Sequence, residues 1–217
     1  MATLQKENRS AKDFLPTKRT LEAMREAARS CKGCELYKDA TQTVFGEGPP
    51  HAKVVFIGEQ PGDQEDQQGR PFVGPAGRLL DKALAEAGIP REQVYVTNAV
   101  KHFKFIWRGK KRLHQKPAIR YVTACRPWLE AEFETLQPAI VVCMGSTAAQ
   151  SIFRKPVPIM KERGKFLQSE LGPLAFITIH PSSIYRHPEK EEQEKEYRRF
   201  ADEMKLLQRK LRTLKAA

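Results

Sequence analysis

The chain has 217 residues, 40% of them hydrophobic, and its 38 Lys and Arg against 26 Asp and Glu give a formal charge of +12 at pH 7. That length and apolar share suffice for a buried core and exclude a disordered tail, while the positive excess predicts a strongly anionic partner, nucleic acid ahead of a membrane surface. No apolar run nears the ~18 residues of a membrane span, and the N-terminus MATLQKENRSAKDF lacks a signal peptide's apolar centre, so the chain is expected in the cytoplasm with no membrane partner.

In chain order, an N-terminal extension leads into a helix from about Thr20 to Arg29. A strand AKVVFIG follows, then a polar loop GEQPGDQEDQQGRPFVG and a helix PAGRLLDKALAEAG. A second strand, QVYVTNAV, opens into a basic loop before the helix YVTACRPWLEAEFETLQ. The strand AIVVCMG and helix STAAQSIF come next, then the strand LAFITIH, the turn HPSSIYRHP and a long charged helix from about Glu189 to Leu214. The four strand runs are continuously apolar rather than alternating, which predicts strands covered on both faces. The fold class is therefore α/β: a three-layer α/β/α sandwich on a central, mostly parallel four-stranded sheet. No repeat, second domain or clear oligomeric interface is visible, so residues 1–217 read as one domain and a monomer.

In such sheets ligands bind beyond the carboxyl ends of the strands. After the first strand, a Gly- and Pro-rich loop offers Glu59 and Asp63 as acid–base groups, or reads as a solvated acidic turn. Phe72, between Pro71 and Val73, either plugs the core or presents a flat face for stacking a base. Asn98 ends the second strand, where its amide pairs a donor with an acceptor, matching a pyrimidine edge, or caps the next turn. His180 stands where an imidazole can stabilise a negatively charged leaving group, with Ser182, Ser183 and Arg186 placed to hold phosphate; the plainer role for each is structural. Between Lys101 and Lys116 seven basic residues run with no acidic one, and Lys101, Lys110, Lys111 and Arg112 are phosphate contacts on this reading. His114 sits among them, either by incidental spacing or as the chemically active group.

The four cysteines are not expected to pair in a reducing cytosol. Cys31-Lys-Gly-Cys34 lies past a helix rather than after a strand, which suits metal ligation better than a redox pair, and Cys125 at TACRPWL is a third ligand. The fourth is His102 or Cys143, the latter inside an apolar run where a small thiol needs no ligand role. Zinc and an iron–sulfur cluster both remain open on spacing alone.

GEQPGDQEDQQGRPFVGPAGRLLD, VTNAVK, CRPWL and HPSS together resemble the iron–sulfur uracil-DNA glycosylases, family 4 and its UdgX branch, over about Cys31 to Arg186. Family 4 enzymes usually carry a cysteine directly after the lysine following the second strand; here His102 follows Lys101. The UdgX branch departs in the same region and inserts a Lys-Arg-Arg-Ile-His loop, matched here by Lys110-Lys111-Arg112-Leu113-His114. The resemblance implies a 4Fe-4S cluster on Cys31, Cys34, Cys125 and His102. It implies a uracil pocket of Gly58, Gln60, Asp63, Phe72 and Asn98, with Phe72 stacking on the base, Asn98 reading its edge and Gln60 giving backbone contact. It further implies His180 facing the leaving uracil, Glu59 near the sugar, and uracil-containing DNA, single-stranded by preference, as the partner. In UdgX-like proteins the loop histidine captures C1′ of the sugar, so a stable protein–DNA adduct through His114 is implied. The other expectations are a multiple-turnover glycosylase, with the basic loop as a phosphate clamp, and a non-catalytic DNA-binding protein.

Overall fold

The computed structural model describes residues 9–169, 171 and 173–216; the first eight residues of the N-terminal extension lie outside the described residues. The elements are α1 (Leu21–Ala28), β1 (Val54–Gly58), α2 (Asp63–Gln68), α3 (Pro75–Glu86), β2 (Val94–Asn98), β3 (Phe105–Arg108) and β4 (Lys111–His114). They continue with α4 (Ile119–Leu136), β5 (Ile140–Met144), α5 (Ser146–Phe153), α6 (Ile159–Glu162), β6 (Phe166–Gln168), β7 (Leu174–Thr178) and α7 (Lys190–Ala216). Local chemistry sets several boundaries. The Thr20 hydroxyl accepts from the Ala23 N–H and caps α1, while Pro75, with no N–H to satisfy, opens α3.

The sheet runs β2-β1-β5-β7-β6, with β1, β2, β5 and β7 parallel, as the continuous apolar runs predict. Successive strand residues point to opposite faces, and both faces are covered. Val55, Ile57, Val141, Cys143, Ala175 and Ile177 pack with Met24 of α1, Trp128 and Leu129 of α4 and Ile152 of α5. Their neighbours Val54, Phe56, Val96, Val142, Met144 and Phe176 pack with Leu80 and Leu84 of α3 and Phe200, Met204 and Leu207 of α7. Each fully buried side chain of this size contributes ~1.5–3 kcal/mol of transfer free energy, so two covered faces are the main stabilising feature. No helix among the described residues is long and apolar enough to cross a membrane.

Two features extend the expected architecture. A fifth strand, β6, pairs antiparallel with β7 at the sheet edge; three residues carry too little periodicity to announce it. The basic loop is a β-hairpin, β3 with β4, pairing Phe105 with His114 and Trp107 with Arg112.

Lys101, read from sequence as a phosphate contact, is instead fully buried. Its ammonium donates to Glu132 Oε2 at 2.6 Å and to the Asn98 carbonyl at 3.0 Å, and the same carboxylate accepts from Tyr95 and Thr97. Removing one charge from such a buried pair costs ~3–5 kcal/mol, so this lysine is not available to DNA. It fixes the exit of β2, directly behind Asn98.

Candidate active site

The chain passes from β1 to β2 on one side and later to β5 on the other, a switch in direction that opens a crevice at the strand ends. Four segments meet this edge: Glu59 and Gln60 after β1, Asn98 closing β2, Thr147 at the start of α5, and His180 beyond β7.

Gly58, Phe72 and Asn98 converge so closely that a β-carbon on Gly58 would stand 2.3 Å from Asn98 Oδ1 and 2.8 Å from Phe72 Cζ. Only glycine fits there. Phe72 has a left-handed backbone (φ +58°), a conformation that a bulky residue holds only when its surroundings impose it. The buried Glu65 carboxylate supplies part of that constraint, accepting from the N–H groups of Gly62 at 3.1 Å and Gly74 at 2.7 Å on either side of the loop. The Phe72 ring lies 6.2 Å from the His180 imidazole, tilted by 30°. The Phe72 ring and the Asn98 amide, both buried, thus lie together with the His180 imidazole at the strand ends.

His180 has a defined tautomer. Its Nδ1 accepts from the Ser182 backbone N–H at 3.2 Å and lies 2.8 Å from the Ser182 hydroxyl, which leaves the proton on Nε2. Burial, with the positive potential of His114 and Arg186, pushes its pKa down to about 4, so a neutral ring presents an Nε2–H donor at pH 7. Ser182 and Ser183, expected to hold phosphate, direct their hydroxyls to His180 itself, Ser183 donating to its carbonyl at 2.7 Å. Their role is to fix the imidazole. Arg186 remains exposed beside the two histidines and carries no ion pair among the described residues.

His114, at the end of β4, places Nε2 3.5 Å from Glu59 Oε1, and the Thr147 hydroxyl donates to the other Glu59 oxygen. Burial lowers the His114 pKa below the ordinary histidine value; the Glu59 carboxylate opposes this and Arg186 adds to it. The hairpin that carries His114 is fastened at both ends. At its base, the buried Gln60 amide donates to the carbonyls of Lys104 and Gln115 and accepts from the Lys104 N–H. Further out, Arg112 donates to Asp63 and Asp66, each at 2.6 Å, and its guanidinium lies over the rings of Phe103 and Phe105.

Two sequence expectations change here. Arg112 is a structural strut rather than a phosphate contact, since its fork is filled by two carboxylates. Asp63, read as an acid–base or uracil-pocket group, has its carboxylate engaged by Arg112 and Gln67. Lys110 and Lys111 stay exposed at the hairpin tip. Thr147 and Glu65 were missed as site residues; Thr147 was findable, because it follows a strand at the ligand edge.

Cys31 and Cys125 are buried and Cys34 partly so, and the three thiols feel one another electrostatically. Burial raises the Cys34 pKa to about 11 and that of Cys125 further. The Trp128 indole N–H donates to Cys31 Sγ at 3.3 Å and the Lys101 backbone N–H to Cys125 Sγ at 3.2 Å. His102 Nε2 meets the Thr43 hydroxyl at 2.9 Å, and burial lowers the ring's pKa to about 4, keeping it neutral. Among the described residues no group of three or more His, Cys, Asp or Glu closes around a single metal ion. Cys143 lies in β5, where burial alone raises its pKa.

The sequence profile described as the Uracil DNA glycosylase superfamily matches residues 45–205. The type-4 uracil-DNA glycosylase of Sulfurisphaera tokodaii is 37% identical over 177 residues, covering 78% of this chain and 77% of that protein. Proteins of the same description from Thermotoga maritima (37% over 168 residues, 77% and 84% covered) and Archaeoglobus fulgidus (35% over 181 residues, 80% and 87% covered) are similar to it as well. With the crevice at the strand ends and these likenesses agreeing, the chain belongs to the uracil DNA glycosylase superfamily.

Proposed function

We propose that the protein excises uracil from DNA and is then joined to the abasic sugar through His114, in the manner of the UdgX branch. The type-4 relatives support the excision half. The observation that carries the second half is the His114 imidazole, held by a fastened hairpin 3.5 Å from Glu59.

The extruded base stacks on Phe72 while the Asn98 amide pairs with its edge. As the bond from C1′ to N1 breaks, its electron pair leaves with uracil, and the Nε2–H of neutral His180 donates to the developing charge at O2. The positive charge left on the sugar faces the Glu59 carboxylate. The Nε2 lone pair of neutral His114 then forms the bond to C1′, and the Nδ1 proton is lost to solvent, which leaves a neutral alkylated imidazole. Such an imidazole has no good leaving group at neutral pH, so the link persists. A single-stranded substrate lowers the cost of extrusion, and one copy of the chain holds every group named.

A denaturing gel tests this reading. Wild type incubated with uracil-containing single-stranded DNA, then heated in SDS, should show a shifted band limited to one DNA per protein, and His114→Ala should show none. Uracil release without a shifted band would favour ordinary turnover, and a band that survives His114→Ala would refute the assigned nucleophile.

We further propose that Cys31, Cys34, Cys125 and His102 hold a 4Fe-4S cluster; the two N–H donors aimed at sulfur and the neutral imidazole are the features that fit. When bound, the group supplies iron–sulfur cross-links among the segment after α1, the exit of β2 and α4. Purified protein should be brown and contain iron; colourless, zinc-loaded protein would overturn this assignment in favour of zinc.

A further inference from the structure

The tip of the β3–β4 hairpin carries a feature that neither the base pocket nor the nucleophile requires. Trp107 is 65% exposed, and its neighbour Ile106 is 52% exposed on the opposite face of the ribbon. An indole this open in a charged loop forgoes the burial that makes tryptophan favourable, unless a ligand covers it.

Its orientation is set from beneath. Phe103 is buried, Phe105 stacks on it with centroids 5.1 Å apart, and Trp107 meets Phe105 edge to face at 5.6 Å, so a line of rings climbs from the core to the tip. Register places Phe105 opposite His114 and Trp107 opposite Arg112, which puts Trp107 and His114 on one face as diagonal neighbours. Backbones of such neighbours lie ~7–8 Å apart, about one nucleotide step along a strand. Beside the indole, a cavity of about 540 Å³ opens between hairpin and α2, lined by Asp63, Gln67, Trp107, Lys110, Lys111 and Arg112. Arg112 offsets the charge of Asp63. Lys110 and Lys111 are exposed and carry no ion pair among the described residues, so the rim of this cavity is positive.

We propose that Trp107, with Lys110 and Lys111, forms a second nucleotide subsite, in which an unpaired base adjoining the target uridine stacks on the indole and its phosphate meets the lysines. The placement of the uridine rests on the reading above. A base within a duplex cannot offer its face to the indole, so the subsite selects single strands whatever the sequence of the neighbouring base.

The test needs no uracil. Trp107 and the fully buried Trp128 are the two tryptophans of the chain, so an intrinsic fluorescence change on DNA binding reports chiefly on Trp107. Titration with a uracil-free thymine oligonucleotide at low salt should quench and blue-shift the emission, and Trp107→Phe should abolish that signal. With a labelled oligonucleotide, Trp107→Ala should bind the single strand roughly tenfold or more weakly, with Trp107→Phe within a few-fold of wild type. Unchanged emission at saturating oligonucleotide, or equal affinity of wild type and Trp107→Ala, would overturn the proposal. So would quenching that follows protein concentration alone, which would mark the tip as a contact between copies. Because no uracil is present, failure of the excision or linkage reading would leave these outcomes intact.

Discussion

On the proposed capture of the sugar by His114, His114→Gly should replace a single turnover with repeated ones. With uracil-containing DNA in tenfold excess, wild type should stop after about one uracil per protein, whereas the glycine variant should release most of the uracil and leave free abasic DNA. The reason lies in the order of steps. On the proposed roles, departure of uracil depends on Phe72, Asn98, His180 and Glu59, all anchored outside β4, so deleting the imidazole leaves them in place. What changes is the group that meets the sugar cation: water enters the space and the product dissociates. Fluorescent quantification of free uracil, with alkali cleavage of the abasic strand, reads this directly. A glycine variant that still halts near one turnover, or releases no uracil at all, would contradict the assignment of His114 to the capture step alone.

His180→Ala should act earlier and on both activities. The loss of a preorganised donor to a developing anion slows chemistry by ~10²–10³-fold, so single-turnover uracil release and adduct formation should fall together by that factor. The pH dependence gives an independent check. The working form of His180 is neutral, and since burial brings its pKa to about 4, protonation removes it only near that pH. His114 must also be neutral to attack, and its pKa likewise lies below the ordinary histidine value. Single-turnover uracil release should therefore stay level from about pH 8 through the usual histidine range and fall only in more acid solution, whereas adduct formation should fall off at a pH below the ordinary histidine value. A break in uracil release near the ordinary histidine pKa, or a His180→Ala protein within a few-fold of wild type, would remove His180 from this role.

How far the sequence was readable follows from the range of the interactions. The four parallel strands were legible because each buries both faces, and a run such as VVFIG reports that locally. Glu59, Asn98 and His180 were legible as a group because topology alone brings strand ends to one edge. Lys101 was not, because its partner Glu132 lies 31 residues away on α4, and a buried lysine looks like any other in a basic stretch. Arg112 misled for the same reason, its carboxylates lying on α2. The hairpin stayed hidden because its exposed residues, charged, aromatic and aliphatic, gave no alternation of apolar and polar positions. In Ser182 and Ser183 the residue types suited phosphate, yet the nearest acceptors are atoms of the adjoining histidine.

The fastening of the β3–β4 ribbon bears on a competition between two nucleophiles. Once uracil has left, the sugar cation is short-lived, and water is always the more abundant candidate. An imidazole held in attack geometry behaves as though present at ~10⁵–10⁸ M, a figure that survives only while its mounting allows little play. If His114 captures the sugar as proposed, the Gln60 side chain and the Arg112 fork would set the outcome through the hairpin alone, and the ratio of linked to free abasic strand would become a chemical gauge of how stiff that mounting is.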